Sequence, residues 1–490
     1  MTPLYLGLDL GTSAVKVLVL DADERIVAQT SAPLSVQRPH PNWSEQDPDD
    51  WWRATIDAVS QLPREVRRAV RGIGLSGQMH GAVLLDANDR PLRPAILWND
   101  GRSAAECAEL EAAEPRSRDV TGNVAVPGFT APKLLWVRKH EPDIFARTVS
   151  VLLPKDYVRL RLTGVKASDM SDASGTLWLD VARRQWSDQM LAATGLSRDH
   201  MPALAEGPEA TGHVLPDVAR LLELDADVVV AAGGGDNAAS AVGVGVITPG
   251  QSLLSIGTSG VLFVVTDRFR PNTHQAAHAF CHALPGRWHQ MSVMLSAASA
   301  IDWASGVAGF DSVNAATLAA ARRGLRRDTP VFLPYLSGER TPHNNPHARG
   351  VYFGLSADTE SADLVTAAME GVALAFADGL DALTAAGSTV SEITVVGGGT
   401  RSAWLLQLIA SALNRPLTRR SGGELGAAFG AARLGRLAAT GEDPERVCTA
   451  PSSVEVVEPD DALRDALHRR RATFTRLYPS LTAAFEAFGT

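Results

Sequence analysis

At 490 residues, 45% of them hydrophobic, the chain holds more core-forming material than one typical domain uses, so two or more lobes are expected. A formal charge of −9 is spread along the chain without a basic run, which argues against nucleic acid or an anionic membrane as the main partner. Three distant cysteines, Cys107, Cys281 and Cys448, form no CxxC pair, no apolar run is long enough to span a bilayer, and a strand pattern begins at once in place of a secretory leader; the reading is a cytoplasmic protein.

The first pattern, Leu4 to Asp21, is two apolar strands separated by Gly11-Thr12-Ser13. Such a hairpin offers backbone N–H groups and two hydroxyls to an anion, with Lys16 as a nearby cation. Asp9 ends the first strand, where a carboxylate could hold hydrated magnesium. A plain hairpin with a polar turn is the alternative. Trp43, Trp51 and Trp52 follow in an aromatic-rich loop and a capped helix start, and read as core.

Gly72-Ile-Gly-Leu-Ser-Gly77 matches a dinucleotide-binding pattern, but Ala82 to Asp86 continues as strand where that fingerprint must open a helix. Gln78-Met79-His80 suits a polyol better, since an amide and an imidazole can bond vicinal hydroxyls and Met packs against C–H faces. A satisfied corner histidine is the competing reading. Trp98, at the end of the next strand, is a secondary candidate for the same pocket. Lys155-Asp156, Asp169 and Asp172 lie in polar loops and read as caps or solvated acids.

Val228 to Gly243 runs as a buried strand, three glycines and a helix start at Asp236-Asn237. The glycines let a ligand approach the backbone, and Asp236 at the N-cap is an ionised acid placed to act as a general base. Helix capping alone is the alternative. Pro249-Gly250 marks the junction of the lobes. Beyond it, Leu254 to Asp267 repeats the first hairpin, with Gly257-Thr258-Ser259 aligned on Gly11-Thr12-Ser13, Ser255 on Asp9 and Leu262 on Lys16. One half would then manage a metal while the other only cradles phosphate.

His274, His278 and His282 recur at four-residue spacing beside Cys281 and His289, but a turn at Pro285-Gly286 favours local packing over a zinc site. Glu339 and Arg340 read as the pins of a long loop. Ile393 to Ser402 is again strand, glycine turn and helix, and Gly398-Gly399 would suit the flat face of a purine. Gly422 to Ala432 reads as a small-residue helix packing on a neighbour.

Asp9 to Ser13, Ser255 to Ser259 and Val396 to Thr400 resemble the phosphate 1, phosphate 2 and adenosine motifs of the actin/hexokinase/Hsp70 ATPase superfamily. Within it, Gly233 to Asn237 and the helix near Gly426 resemble the FGGY carbohydrate kinases. Gln78 to Gly81, Leu97 to Arg102, Pro127 to Lys133 and Leu336 to Asn345 look like the members of that family that phosphorylate D-xylulose. The resemblance runs from Tyr5 to about Leu434; Thr400 stands where the family usually has alanine, which touches the adenine contact.

The resemblance implies an α/β protein of two ribonuclease-H-like, actin-like ATPase domains, residues 1–247 and 248–490, with ATP and sugar between them. It makes Asp236 the catalytic base and Asp9 the residue near magnesium. Met79 and His80, with Gln78, Asn237 and Trp98, would contact the ketose. Gly11, Thr12, Ser13, Lys16, Gly257 and Thr258 would hold the phosphates, and Gly398 and Gly399 the nucleoside. The implied reaction is MgATP-dependent phosphorylation of a terminal hydroxyl, for which Asp236 needs no raised pKa. A kinase for ribulose, fuculose or glycerol, or an actin- or Hsp70-like nucleotide switch, are the alternatives. A homodimer is left open.

Overall fold

The computed structural model describes residues 2–422 and 426–489. β1 (Leu4–Leu10) and β2 (Ala14–Leu20) form the expected antiparallel hairpin, with Asp9 directly opposite Lys16. β3 (Ile26–Pro33) pairs antiparallel with β2, and β4 (Val70–Gly77) pairs parallel with β1. The chain then inserts helices α1 (Pro154–Thr163) and α2 (Met170–Ser174) before β5 (Ala210–His213) and β6 (Val229–Ala231) complete the sheet in the order β5-β6-β4-β1-β2-β3. α3 (Asp236–Gly243) follows β6.

The second sheet repeats this plan. β7 (Gln251–Ile256), β8 (Gly260–Thr266), β9 (His278–Cys281), β10 (Trp288–Met294), β11 (Glu392–Val396), β12 (Leu417–Arg420) and β13 (Ser453–Val457) order as β9-β10-β8-β7-β11-β12-β13. Read from β3 to β5 and from β10 to β13, both sheets run antiparallel, antiparallel, parallel, parallel, antiparallel. The duplication legible in two hairpins thus extends through six strands of each lobe. One detail differs: the second turn is a residue shorter, so Ser255 faces Val261 across the ladder and not Leu262.

One helix of the second half stays with its own hairpin, and another crosses to the first lobe. α4 (Ala298–Val307) begins at the second hairpin, where the carbonyls of Gly257 and Thr258 accept the N–H groups of Ala298 and Ala297 at 2.9 Å each. α5 (Gly426–Thr440) lies in sequence between β12 and β13 of the second sheet but packs on β1 and β4 of the first. It lies backbone on backbone: a Cβ on Gly74 would fall 1.7 Å from the Ala431 carbonyl oxygen, and one on Gly7 2.0 Å from that of Ala428. The glycines of the Gly72-x-Gly74 pattern therefore serve helix–strand contact, and β4 runs through the whole pattern as strand. Gly423, Glu424 and Leu425, in the predicted small-residue helix, lie outside the described residues. Among the described residues no helix is long and apolar enough to cross a membrane.

Candidate active site

Asp236 is the first residue of α3, with Gly235 at the N-cap. Its Oδ1 accepts from the Asn237 backbone N–H at 2.7 Å and the Asn237 side-chain amide at 2.9 Å, so the predicted capping of later N–H groups does not occur. Both bonds fall on one oxygen and leave the other to an incoming hydroxyl. Burial first, and then the charge of Asp9, push the Asp236 carboxyl up to about 6, against the opposing bonds from Asn237. The reaction does not require this shift, which comes from burial and a second carboxylate, both three-dimensional facts. The same value strengthens the group as a base near neutral pH.

Met79 and His80 follow β4, and the glycine turn lies against Met79. Met79 is buried against the glycine turn, where a Cβ on Gly235 would meet its Cγ and Sδ at 2.9 Å. His80 adopts a left-handed φ of 70°. Its Nδ1 lies 2.7 Å from the Gly175 carbonyl, an acceptor only, so Nδ1 carries the proton and Nε2 is left as an acceptor. Burial lowers its pKa to about 3, so the ring is neutral. The His80 carbonyl accepts from Lys133 Nζ at 2.7 Å and Thr130 Oγ1 at 3.1 Å, which pins the strained residue from below.

Gln78 is also engaged within the protein. Almost fully buried, it donates to Gln46 Oε1 at 3.0 Å and accepts from Thr12 Oγ1 at 3.1 Å. Gln46 also takes the Trp51 indole N–H at 3.0 Å and donates to the Thr12 carbonyl at 2.8 Å. Trp98, its ring exposed, donates to Thr12 Oγ1 at 3.0 Å. Gln46, Gln78 and Trp98 thus converge on Thr12 of the first turn. Gln46 had no sequence signal, since a lone amide before a capped helix looks like any loop residue.

Asp9 and Lys16 line a cleft of about 1210 Å³ that continues to Ser255, Gly397, Gly398 and Thr400 on the other lobe. Ser13, Lys16 and Thr258 are exposed, and Gly11, Thr12 and Gly257 partly so. Gly398 faces the cleft, whereas Gly399 packs on the second hairpin: a Cβ there would reach Ile256 Cγ2 at 2.3 Å. Thr400 Oγ1 folds back onto the Gly397 carbonyl at 2.7 Å, so the hydroxyl is occupied within its own turn.

Asp9 is half-buried; burial raises its pKa, against Lys16 and a bond from Ser76. A carboxylate so placed beside a second one is suited to a hard cation held partly by water. The histidine alternative is not realised: His274 lies in a short 3-10 turn, His278 on β9 bonded to Asn123 Oδ1 at 2.8 Å, and no metal-holding cluster of His, Cys, Asp or Glu exists among the described residues. Glu339 does pin its loop, accepting from Leu295 and Arg340 N–H groups at 3.0 and 2.7 Å, while Arg340 bonds Asn344 at 2.9 Å. Of the acids read as caps or solvated, Asp169 does cap α2, accepting from the Ser171 and Asp172 N–H groups, while Asp156, Asp169 and Asp172 are all buried around Lys155.

A duplicated α/β fold with an acid pair and a glycine turn at the mouth of a two-lobed cleft defines a phosphotransferase of the actin-like ATPase class. Residues 4–243 match the N-terminal domain and residues 253–439 the C-terminal domain of the FGGY family of carbohydrate kinases. The chain is 54% identical to a xylulose kinase of Escherichia coli (strain K12) over 98% of its own length and 99% of the relative's, and 36% identical to a xylulose kinase of Bacillus subtilis (strain 168) over 88% and 87%. A crystal structure of a "xyloylose kinase" from Brucella ovis superposes with a TM-score of 0.95 at 51% identity, covering 98% of this chain and all of that one. The chain belongs to the FGGY family of carbohydrate kinases.

Proposed function

We propose that the protein is a xylulokinase, transferring the γ-phosphoryl group of MgATP to the terminal hydroxyl of D-xylulose to give D-xylulose 5-phosphate. The observation that carries this reading is the placement of Asp236, a carboxyl raised to about 6 on a glycine turn packed against Met79, with Asp9 close enough to act on it. The identity shared with xylulose kinases along nearly the whole chain supports the choice of sugar.

In this reading Asp236 orients the acceptor hydroxyl and takes its proton late, as the oxygen becomes acidic. His80 Nε2 accepts from one ketose hydroxyl, Met79 packs against the carbon chain, and Asn237 holds the base. Thr12, Ser13, Lys16, Gly257 and Thr258 bind the phosphates through the two turns, and Gly398 faces the nucleoside. Asp9 would hold magnesium through water, and the ion would neutralise charge on the transferring phosphates. The domains divide at 247/248, with α5 crossing back onto the first sheet. The protein works in the cytoplasm, where its three buried thiols, each pushed up to about 11 or 12 by burial, stay reduced.

The test is a coupled ADP-release assay with MgATP against D-xylulose, D-ribulose, L-ribulose, L-fuculose and glycerol. A clear kcat/KM maximum on D-xylulose is expected. A maximum on another polyol would keep Asp236 and discard the sugar. Light scattering in the same buffers distinguishes one chain from a homodimer.

A further inference from the structure

We propose that Ser171 is a positioning residue for phosphoryl transfer, clamping the glycine turn that carries Asp236; this rests on Asp236 being the base. Gly233, Gly234 and Gly235 have no side chains with which to fix their own conformation, and Gly233 sits at a φ of 83°. A freely hinged turn would spread the carboxylate over positions, and phosphoryl transfer is sensitive to displacements of an ångström. The turn must be held from outside.

Gly234 and Gly235 pair in the sheet with Ser76 and Gly77, and the Gly233 N–H donates to the Gly207 carbonyl at 2.9 Å; both ends of the turn are held besides by one buried cluster. On the far side the Gly235 N–H donates to Ser171 Oγ at 3.0 Å. The Ser171 hydroxyl spends its own proton on Asp169 Oδ2, which leaves its lone pair for Gly235. On the near side Arg159 donates to the carbonyls of Ala231, at 2.5 Å, and Ala232, the two residues that lead from β6 into the turn. The two handles are tied together: Lys155 Nζ lies 2.8 Å from Asp169 and 2.6 Å from Asp156, and Asp156 lies 3.3 Å from Arg159.

Every member of this set is fully buried. Buried ion clusters are poor sources of net stability, because desolvation consumes most of the Coulombic gain. Burial also raises the Asp172 carboxyl well above its usual range, against the pull of the Lys155 charge. An apolar core would have cost less, and what the cluster adds is a fixed backbone at residues 231–235.

The experiment is a double-mutant cycle on the full chain, using whichever acceptor of the sugar panel turns over fastest. Ser171→Ala should lower kcat about tenfold or more, with KM for ATP and acceptor within about twofold of native. In an Asp236→Asn background the same substitution should cost nothing further, because a residue acting through Asp236 has no target left. Equal losses in both backgrounds, a loss confined to KM, or native kcat in Ser171→Ala would each overturn the proposal while leaving the kinase reading intact. Native turnover in Asp236→Asn would remove the base assignment and this inference with it. If Ser171→Ala does not fold, Ser171→Cys, similar in shape and a weaker acceptor, carries the same cycle.

Discussion

Asp9 and Asp236 approach the same position of the first sheet from opposite sides of one strand: Asp9 lies in register with Ser76 on β1, and Gly234, two residues before Asp236, pairs with that same Ser76. Two acids so placed raise each other's affinity for a proton. In the proposed reaction they would divide the work, Asp9 lining the cleft between the lobes and Asp236 serving the acceptor.

The first consequence is a pH profile. With Asp236 raised to about 6 by burial and by Asp9, kcat/KM for the sugar should fall on the acid side of pH ~6, where the base becomes protonated. Asp9→Asn removes the like charge and should move that limb to lower pH in whatever activity remains. Asp236→Ala should lower turnover by about two to four decades while ATP still binds. A limb centred near pH 4 in the native enzyme would show that the carboxyl is not desolvated.

The same group makes a stability prediction of opposite sense to its activity. A carboxyl whose folded pKa of about 6 exceeds its ordinary 3.8 favours the folded state when protonated, and that contribution is lost as pH rises from about 4 through 6. Asp236→Asn should therefore stabilise the protein at pH 7, by about 1–3 kcal/mol at one pKa unit per 1.4 kcal/mol. The gain should shrink toward pH 4. Denaturant melts of both proteins at the two pH values check it; an Asn variant less stable than native at pH 7 would contradict the assignment.

Much of this arrangement is legible in the sequence because it is local. The Gly-Thr-Ser hairpins, the strand-to-glycine-to-helix step at Asp236 and the rejection of the Gly72–Gly77 fingerprint depend on residues adjacent in the chain. What escaped is set by distant partners. The bonds of Gln78 to Gln46, 32 residues away, and to Thr12, 66 residues away, are of this kind. Asp172 looks solvated, and Asp169 no more than the cap it is, because Lys155 reaches them only through the fold. The one-residue shift that puts Val261 opposite Ser255 is invisible to alignment, since the Gly-Thr-Ser match holds while the ladder closes sooner.

The seat of α5 on the first sheet predicts a severe glycine lesion. A methyl at Gly74 would lie 1.7 Å from the Ala431 carbonyl oxygen and 2.6 Å from its carbon, both backbone atoms that cannot rotate away. Gly74→Ala should cost about 3 kcal/mol or more, beyond ordinary overpacking, and should loosen the contact that joins the second half of the chain to the first lobe. Gly441→Ala is a control for position only in part, since it has open space but a φ of 67°; Gly306→Ala, with nothing within 4 Å, is the cleaner one and should leave the melting temperature near native. Equal melting temperatures for the Gly74 and Gly306 variants would contradict the packing.

Lys133 offers the test of how the sugar pocket keeps its shape. Its ammonium, wholly buried, donates to the carbonyls of His80 at 2.7 Å and Gly128 at 2.8 Å, and burial lowers its pKa to about 7. Lys133→Met leaves two buried carbonyls short of a donor and frees the left-handed His80 to relax. The expected result is a KM for the sugar several-fold higher with KM for ATP unchanged, and a stability loss of about 1–3 kcal/mol. Since the folded pKa lies below the ordinary 10.5, the unfolded chain binds the extra proton between those values, and native stability should rise with pH from about 7 toward 10 relative to the Met variant. Parallel curves for the two proteins across that window would show that Lys133 keeps an ordinary pKa, and an unchanged sugar KM would separate Lys133 from the pocket altogether.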